Sequence, residues 1–164
     1  WHLAIAHCNH RWPPDSDGNA AHVAQLAQDW GLKYYSFTAP TVLKGEAEGR
    51  EWRYEILKKL AEDEGFSAVL TAHTASDRAE TLLFNLFRGS GMDGLQALAW
   101  QRPLSPQVNL IRPLLNITRP QTLAFCEQFQ LPLWQDSMNH DLAYRRNQIR
   151  LELLPILRQR SDGN

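Results

Sequence analysis

The feature that most constrains the fold is a regular alternation of strand-like and helix-like segments over the first 88 residues. Short runs of apolar or aromatic residues predict three strands, at residues 3–8, 33–37 and 67–72. Apolar residues at helical spacing predict three helices, at residues 20–30, 46–64 and 77–88. Such alternation with short links is typical of an α/β fold in which helices cover both faces of a parallel sheet.

The pattern is less regular in the C-terminal part of the chain. Residues 89–113 are rich in Gly, Pro and Gln, which predicts mostly loop, with a strand near residues 109–115. The sequence Thr-Arg-Pro-Gln from Thr118 predicts a helix start, because Thr can cap, Pro suits the first turn and Gln stands at the capping-box position. This helix is predicted to end near residue 130. A last strand is predicted at 133–135, and a final helix at 144–158 is predicted to be interrupted near Pro155.

Composition and cysteine usage exclude several classes of protein. Hydrophobic residues make up 43% and charged residues 21% of the 164-residue chain, as in ordinary globular domains. No apolar run is long enough to span a membrane, and no signal-peptide pattern opens the chain. Cys8 and Cys126 lie far apart and no CxxC motif occurs, so we expect free thiols and a cytoplasmic location.

Charge is distributed unevenly along the chain. Residues 1–100 carry nine Lys/Arg and thirteen Asp/Glu, a net charge of −4, whereas residues 101–164 carry eight and five, a net charge of +3. Thirteen of the 17 basic residues are arginine, whose planar guanidinium suits phosphate and carboxylate groups. This asymmetry is compatible with an RNA partner on the C-terminal half.

Polar residues follow two of the predicted strands, at the positions where ligands bind in open parallel sheets. His7, Cys8, Asn9 and His10 follow the first strand, but their spacing does not favour a zinc site. His73 follows the third strand, where it could donate a hydrogen bond to a phosphate or be an ordinary loop histidine.

Two acidic residues share one face of the helix predicted after the third strand. Asp77 and Glu80 are three positions apart in its first turn. They could complement the helix dipole, or they could hold Mg²⁺ or a cationic substrate beside a nucleotide. Spacing alone leaves both interpretations open.

Several arginines are further candidates. Arg50 and Arg53 face the same way on the long predicted helix, where pairing with acids or exposure to solvent is the ordinary interpretation. Arg88 precedes a Gly-Ser-Gly sequence whose glycines a helix end would explain. The basic stripe from Arg145 to Arg150 could meet RNA phosphates or form an ordinary charged helix start. None of these features decides the function by itself.

Taken in order, these segments resemble the catalytic domain of the tRNA(Ile)-lysidine synthetases, a family of N-type ATP pyrophosphatases. The resemblance spans residues 6–158 and rests on an ordered series of short motifs. The motifs are His7-Cys8-Asn9-His10, Arg50-x-x-Arg53-Tyr54, Thr71-Ala72-His73, Asp77-x-x-Glu80-Thr81, Arg88-Gly89-Ser90-Gly91, Arg112-Pro113-Leu114-Leu115, Asp136-Ser137-x-Asn139 and Arg146-Asn147-x-Ile149-Arg150. The implied fold is Rossmann-like, of the adenine nucleotide alpha hydrolase type.

The resemblance implies a two-step ligation. ATP, with Mg²⁺, adenylates the C2 oxygen of the wobble cytidine in an isoleucine tRNA with a CAU anticodon, and pyrophosphate is released. The ε-amine of free L-lysine then attacks C2 and expels AMP, leaving lysidine. The implied partners are this tRNA and lysine, without a membrane, and a homodimer is one option for the assembly.

The resemblance also implies roles for individual residues. Asp77, Glu80 and Arg53 would bind lysine, with Arg53 on the substrate carboxylate. Asp77 and Arg150 would be catalytic, with Arg150 acting near the ATP phosphates or the transition state. The remaining roles would be ATP binding by His7, Asn9, His10 and His73, and contact with RNA by Arg88 and Arg146, with no metal-ligating residue.

One departure from the family pattern is prominent. The Ser-Gly-Gly-x-Asp-Ser loop, whose backbone amides cradle pyrophosphate, does not occur in this sequence, and the pattern places it before Leu3. The usual His-His and Asp-Asp pairs are His73-Thr74 and Ser76-Asp77 here. We therefore expect a truncated catalytic domain that is inactive alone. Its predicted parts are a nucleotide- and lysine-binding core at 1–100, the C-terminal part of the domain at 101–160, and a linker beginning at 161–164.

Two alternatives stay open from the sequence. One is another PP-loop tRNA-modifying enzyme, such as a tRNA thiolase, although thiolases that use zinc or an iron–sulfur cluster need the CxxC pairs that this sequence lacks. The other is a non-catalytic relative that binds RNA or a nucleotide.

Overall fold

The computed structural model describes residues 1–12, 16–134 and 137–161. Its strands are β1 (Ala4–Asn9), β2 (Lys33–Thr38), β3 (Ala68–Leu70), β4 (Gln101–Pro103) and β5 (Asn109–Ile111). Its helices are α1 (Ser16–Asp29), α2 (Gly45–Glu64), α3 (Ala75–Phe87), α4 (Met92–Leu95), α5 (Arg119–Gln128), α6 (Arg145–Gln148) and α7 (Leu154–Ser161). A 3₁₀ turn, Ser137–His140, precedes α6, and a π-helical turn, Ile149–Leu153, joins α6 to α7.

The chain divides into two compact units. The first contains Trp1–Val69 and Leu104–Val108, and the second contains Leu70–Pro103, Asn109–Leu133 and the chain from Ser137. The boundary lies near residue 70, whereas the sequence analysis divided the domain at residue 100. Assignment of residues 1–160 to one catalytic domain stays a prediction.

The first unit is built on a parallel strand pair. β1 and β2 run in register from Ala4 opposite Lys33 to Asn9 opposite Thr38. A parallel pair needs a crossover, and α1 supplies it and packs on both strands. Its buried face includes Ala27, and α2 buries Leu57 and Ala61. These elements confirm the predicted strand–helix–strand order, and α/β is the class of the fold.

The strand predicted near residues 109–115 is present as β5, and it pairs with β4, a strand that the sequence pattern did not predict. Gln101 lies opposite Ile111 across this antiparallel pair, which belongs to the second unit. The N–H of Thr71, directly after β3, donates to the carbonyl of Ile111 at 3.0 Å. Leu110, at the centre of β5, is completely buried.

Local signals set the helix ends. Gly65 ends α2 in the left-handed conformation, with a φ of 72° that glycine adopts without strain. Thr118 caps α5 as predicted, and the side chain of Gln121 accepts a hydrogen bond from the Thr118 N–H at 2.8 Å.

The final helix is interrupted, as predicted, just before Pro155. A proline has no N–H to donate to the carbonyl four residues earlier, and its ring clashes with that carbonyl. The backbone widens into the π-helical turn over the residues that precede Pro155, which is a common response to such a defect.

The predicted strand at 133–135 is wrong at its first two residues. Leu133 and Trp134 have irregular backbone and exposed side chains, and Pro132 removes a hydrogen-bond donor that a strand would need. Gln135, the motif residue Asp136 and residues 162–164 of the linker predicted at 161–164 lie outside the described residues, and Ser161, its first residue, ends α7 instead. Among the helices that the structure describes, none is both long and apolar enough to cross a membrane.

Candidate active site

The N-terminus of α3 organises the polar groups of the second unit. Thr74 is the N-cap residue, and its N–H and hydroxyl both donate to Asp77 Oδ2, at 2.8 and 2.5 Å. The N–H of Asp77 points back to the Thr74 hydroxyl, which completes a capping box. Oδ2 of Asp77 is therefore used by the helix cap, whereas Oδ1 takes no part in the cap and can contact other groups.

Glu80 is buried one turn further along α3, with a side chain only 2% exposed. Arg150, in the π-helical turn, holds both of its oxygens: Nε lies 2.7 Å from Oε1 and Nη2 lies 2.9 Å from Oε2. This bidentate geometry compensates the burial of the carboxylate.

Arg119 joins the two acids and was not predicted as a site residue. Its Nη2 lies 2.8 Å from Asp77 Oδ1 and its Nη1 lies 3.5 Å from Glu80 Oε1. Its backbone N–H donates to the hydroxyl of buried Ser76 at 3.1 Å, which ties the start of α5 to α3. The sequence shows Arg119 only as part of a helix start, because its partners lie about forty residues away in the chain.

The segment after the 3₁₀ turn positions Arg150. Buried Asn147 donates from Nδ2 to the carbonyls of Met138 and Asp141, both at 2.8 Å, and so fixes the turn against α6. Asn139, in that turn, accepts a hydrogen bond from Arg150 Nη1 at 3.1 Å. The predicted motifs around Asn139 and Asn147 therefore share one task, the placement of the Arg150 guanidinium.

The surroundings of Asp77 keep it ionised. Burial alone would raise the pKa of Asp77, but the hydrogen bonds from Thr74 and the positive charges of Arg119 and His73 together hold that pKa below its usual value. The ring of His73 is anchored by Thr71, whose Oγ1 lies 2.9 Å from Nδ1.

Three of the four predicted ATP-binding residues lie in the first unit, around the end of β1, namely His7, Asn9 and His10, whereas His73 lies in the second unit. Asn9 is buried, and its side chain donates to Asp17 Oδ1 at 2.9 Å and accepts from the N–H of Arg11 at 2.8 Å. The latter bond supports Arg11, a non-glycine residue with a φ of 59°. The side chain of Asn9 is thus used to shape the loop that follows the strand.

Aromatic rings surround His10 in the same unit. His10 stacks on Trp12 with 4.7 Å between ring centroids, meets Trp52 edge-on at 5.4 Å, and contacts the carbonyl of Gly49 through Nε2 at 3.2 Å. Burial and the positive charge of Arg53 lower the pKa of His10, which favours the neutral ring. A Cβ at Gly49 would lie 3.0 Å from His10 and Trp12, so glycine permits this close packing.

Cys8 should be an unreactive thiol. Burial raises its pKa from 9.0 to about 11, although the charge of Arg53 opposes the change. In a Cys126→Ser background, iodoacetamide at pH 8 should alkylate Cys8 about tenfold more slowly in the folded protein than in urea, because the raised pKa lowers the thiolate fraction more than the greater nucleophilicity of the thiolate offsets. Equal rates in folded and unfolded protein would contradict the burial argument.

The two arginines predicted to face RNA lie beside one aromatic ring. The guanidinium carbons of Arg88 and Arg146 are 5.5 and 5.9 Å from the centroid of Phe84. A cavity of about 490 Å³ opens at this surface. Its lining includes Phe84, Phe87, Arg88, Arg145, Ile149 and Ile156.

The structure thus brings together Asp77, Glu80 and Arg150, adds Arg119, and places His73 beside Asp77. His7, Asn9, His10 and Arg53 belong to the other unit. Within the described residues, His, Cys, Asp and Glu nowhere gather in a group of three that could hold a metal ion.

Comparison with known proteins identifies the class. Residues 1–157 match the PP-loop domain, and the chain belongs to this family. Two similar relatives are the proteins named tRNA(Ile)-lysidine synthase from Nostoc sp., 57% identical over 96% of this chain and 46% of the relative, and from Synechococcus sp. (strain PCC 6301), 52% identical over 97% and 49%. The chain spans about half the length of the curated relatives it matches.

A solved structure supports the fold independently of close sequence similarity. The U34-tRNA thiolase NcsA from Methanococcus maripaludis matches 99% of this chain and 57% of its own with a TM-score of 0.77 at 15% identity. This likeness confirms the predicted PP-loop type of α/β fold.

Proposed function

We propose that this chain is the catalytic part of a tRNA(Ile)-lysidine synthase. The observation that carries the proposal is the name of the relatives, which are 52–57% identical to this chain over 96–97% of its length. The arginine-anchored carboxylates on α3 support it, because such a pair suits the recognition of an amine substrate.

Lysine recognition is proposed to centre on Asp77 and Glu80. The Asp77 side chain is 22% exposed and its pKa is lowered, so it offers a negative charge at neutral pH. Glu80 is buried and holds Arg150 through both oxygens, so it would act on lysine mainly through the charge and position of its neighbours. Arg53, in the first unit, is proposed for the carboxylate of lysine on the strength of the family resemblance.

ATP is proposed as the first substrate, with Mg²⁺ to neutralise its phosphates. His7 and His10 are the side chains of the first unit proposed to line the adenosine, since neutral half-buried rings present apolar surface. Asn9 would contribute by shaping the loop after β1, because its amide is already bonded to Asp17 and Arg11. His73 is proposed at the phosphate side.

The chemistry proposed is adenylation followed by aminolysis. The cytidine O2 would attack the α-phosphorus of ATP and displace pyrophosphate. The ε-ammonium of lysine would lose a proton to water, and the neutral amine would then attack C2 and displace AMP, with a second proton of the amine also passing to water. Arg150 would face the phosphate charge that moves in these steps, and Asp77 would orient the amine.

The RNA would contact the surface formed by Phe84, Phe87, Arg88 and Arg146. Phe87 is 68% exposed there, and arginines flank the rings. Unpaired bases stack on aromatic rings and arginine planes, and arginines neutralise phosphates. We propose the anticodon loop of a CAU-anticodon isoleucine tRNA as the ligand, a cytoplasmic location, and a homodimer as one possible assembly.

The test is a lysidine assay on the complete gene product. With ATP, Mg²⁺, lysine and a CAU-anticodon isoleucine tRNA transcript, mass spectrometry of digested nucleosides should show lysidine, with equal amounts of AMP and pyrophosphate. A transcript with uridine at the wobble position is the matched control and should give none. A thiolated product would indicate another PP-loop enzyme, and tRNA binding without ATP consumption would indicate a non-catalytic relative.

A further inference from the structure

A cation already lies on the carboxylate pair. The guanidinium of Arg119 reaches Asp77 Oδ1 at 2.8 Å and Glu80 Oε1 at 3.5 Å, so it spans the two acids. These are the groups proposed above to recognise the amine of lysine. An amine that binds there meets a position that is taken by another positive charge.

The two arginines of the cluster are held very differently. Arg150 fits Glu80 with two short bonds and is 21% exposed. Arg119 has one short bond to Asp77 and one long contact to Glu80, and it is 41% exposed. Arg150 is therefore a fixed part of the site, whereas the side chain of Arg119 is more exposed to solvent and is bound less tightly to the carboxylates.

Charge balance argues that both cations cannot stay when a third arrives. The two carboxylates and the two guanidiniums bonded to them sum to zero, and His73 adds to the positive charge near Asp77, so an added ammonium would leave a partly buried cluster with a net positive charge. Displacement of Arg119 into solvent would restore the balance. We propose that Arg119 is an exchangeable counter-ion, which holds Asp77 and Glu80 in place until the ammonium of an amino-acid substrate replaces it; this rests on the proposed function.

The backbone of Arg119 would not need to move for this exchange. Arg119 lies in the first turn of α5, and its N–H donates to the Ser76 hydroxyl at 3.1 Å. Rotation of the long side chain is enough to release the carboxylates, because the guanidinium is already half-exposed. The exchange would make the site selective for a side chain that carries its own cation.

The test compares two arginine variants in the complete gene product. In Arg119→Gln the competing cation is absent, so the KM for lysine should fall about fivefold. A factor of this size corresponds to the contribution of one partly exposed ion pair. Arg78→Gln, which removes an exposed arginine from α3, the helix that carries Asp77 and Glu80, should leave this KM unchanged. The inhibition constant of norleucine, which keeps the α-ammonium of lysine but lacks the ε-ammonium, should be equal in Arg119→Gln and in the unchanged protein.

Each outcome decides the proposal. An unchanged or increased KM for lysine in Arg119→Gln would overturn the exchange and make Arg119 a structural residue. If Arg119→Gln fails to fold, Arg119→Met, which keeps the apolar stem, carries the same expectation. If the unchanged protein forms lysidine but the variant does not bind lysine more tightly, the inference alone fails. If the unchanged protein makes no lysidine, the proposed function fails as well.

Discussion

Replacement of Glu80 by alanine should lower the free energy of unfolding by about 3 kcal/mol, because it leaves the charge of Arg150 without its partner in a partly buried position. The expected value lies at the low end for broken buried ion pairs, since the Arg150 side chain keeps 21% of its exposure and can be reached by water. Arg119 loses its weaker contact as well. Urea unfolding followed by tryptophan fluorescence measures the change.

Two controls make the Glu80 result specific. Glu152→Ala removes an exposed carboxylate from the same unit and should change stability by no more than about 0.5 kcal/mol. The double variant Glu80→Ala/Arg150→Ala should be less destabilised than the sum of the two single variants, because no unpaired charge remains. Equal effects of Glu80→Ala and Glu152→Ala would refute the assigned ion pair.

Most of the fold could be predicted because its signals are local. Periodicity placed β1 and α2 within one or two residues, and Gly65 marked the end of α2 because a left-handed residue there favours glycine. The strand β4 could not be predicted in this way. It is three residues long, contains Pro103, and exists through its pairing with β5, which no local pattern encodes.

The site was likewise predictable only where its residues are neighbours along the chain. Asp77 and Glu80 are neighbours on one helix, so their spacing alone placed them on a common face. Arg150 could be added only through the family resemblance, because seventy residues separate it from Glu80. Arg119 lay in a helix-start motif that already had a sufficient explanation, and its pairing with Asp77 depends on how α5 meets α3.

Replacement of Arg150 by lysine should reduce the kcat of lysidine formation by about a hundredfold or more in the complete gene product. The lysine keeps the positive charge but offers one ammonium in place of a planar fork, so it cannot hold both oxygens of Glu80 and also reach Asn139. The positive charge proposed to face the transferred adenylyl group would then be free to move, and a misplaced group stabilises the transition state poorly.

The matched control for this change is Arg160→Lys, an equal substitution at an exposed arginine of α7, which should leave kcat unaltered. The KM for lysine should change little in Arg150→Lys, because Asp77 stays fixed in the α3 cap by the Thr74 N–H. That division between kcat and KM separates a role in the chemical step from a role in amine binding. A kcat within threefold of the unchanged protein would show that the charge of residue 150 suffices and that its fork geometry does not matter.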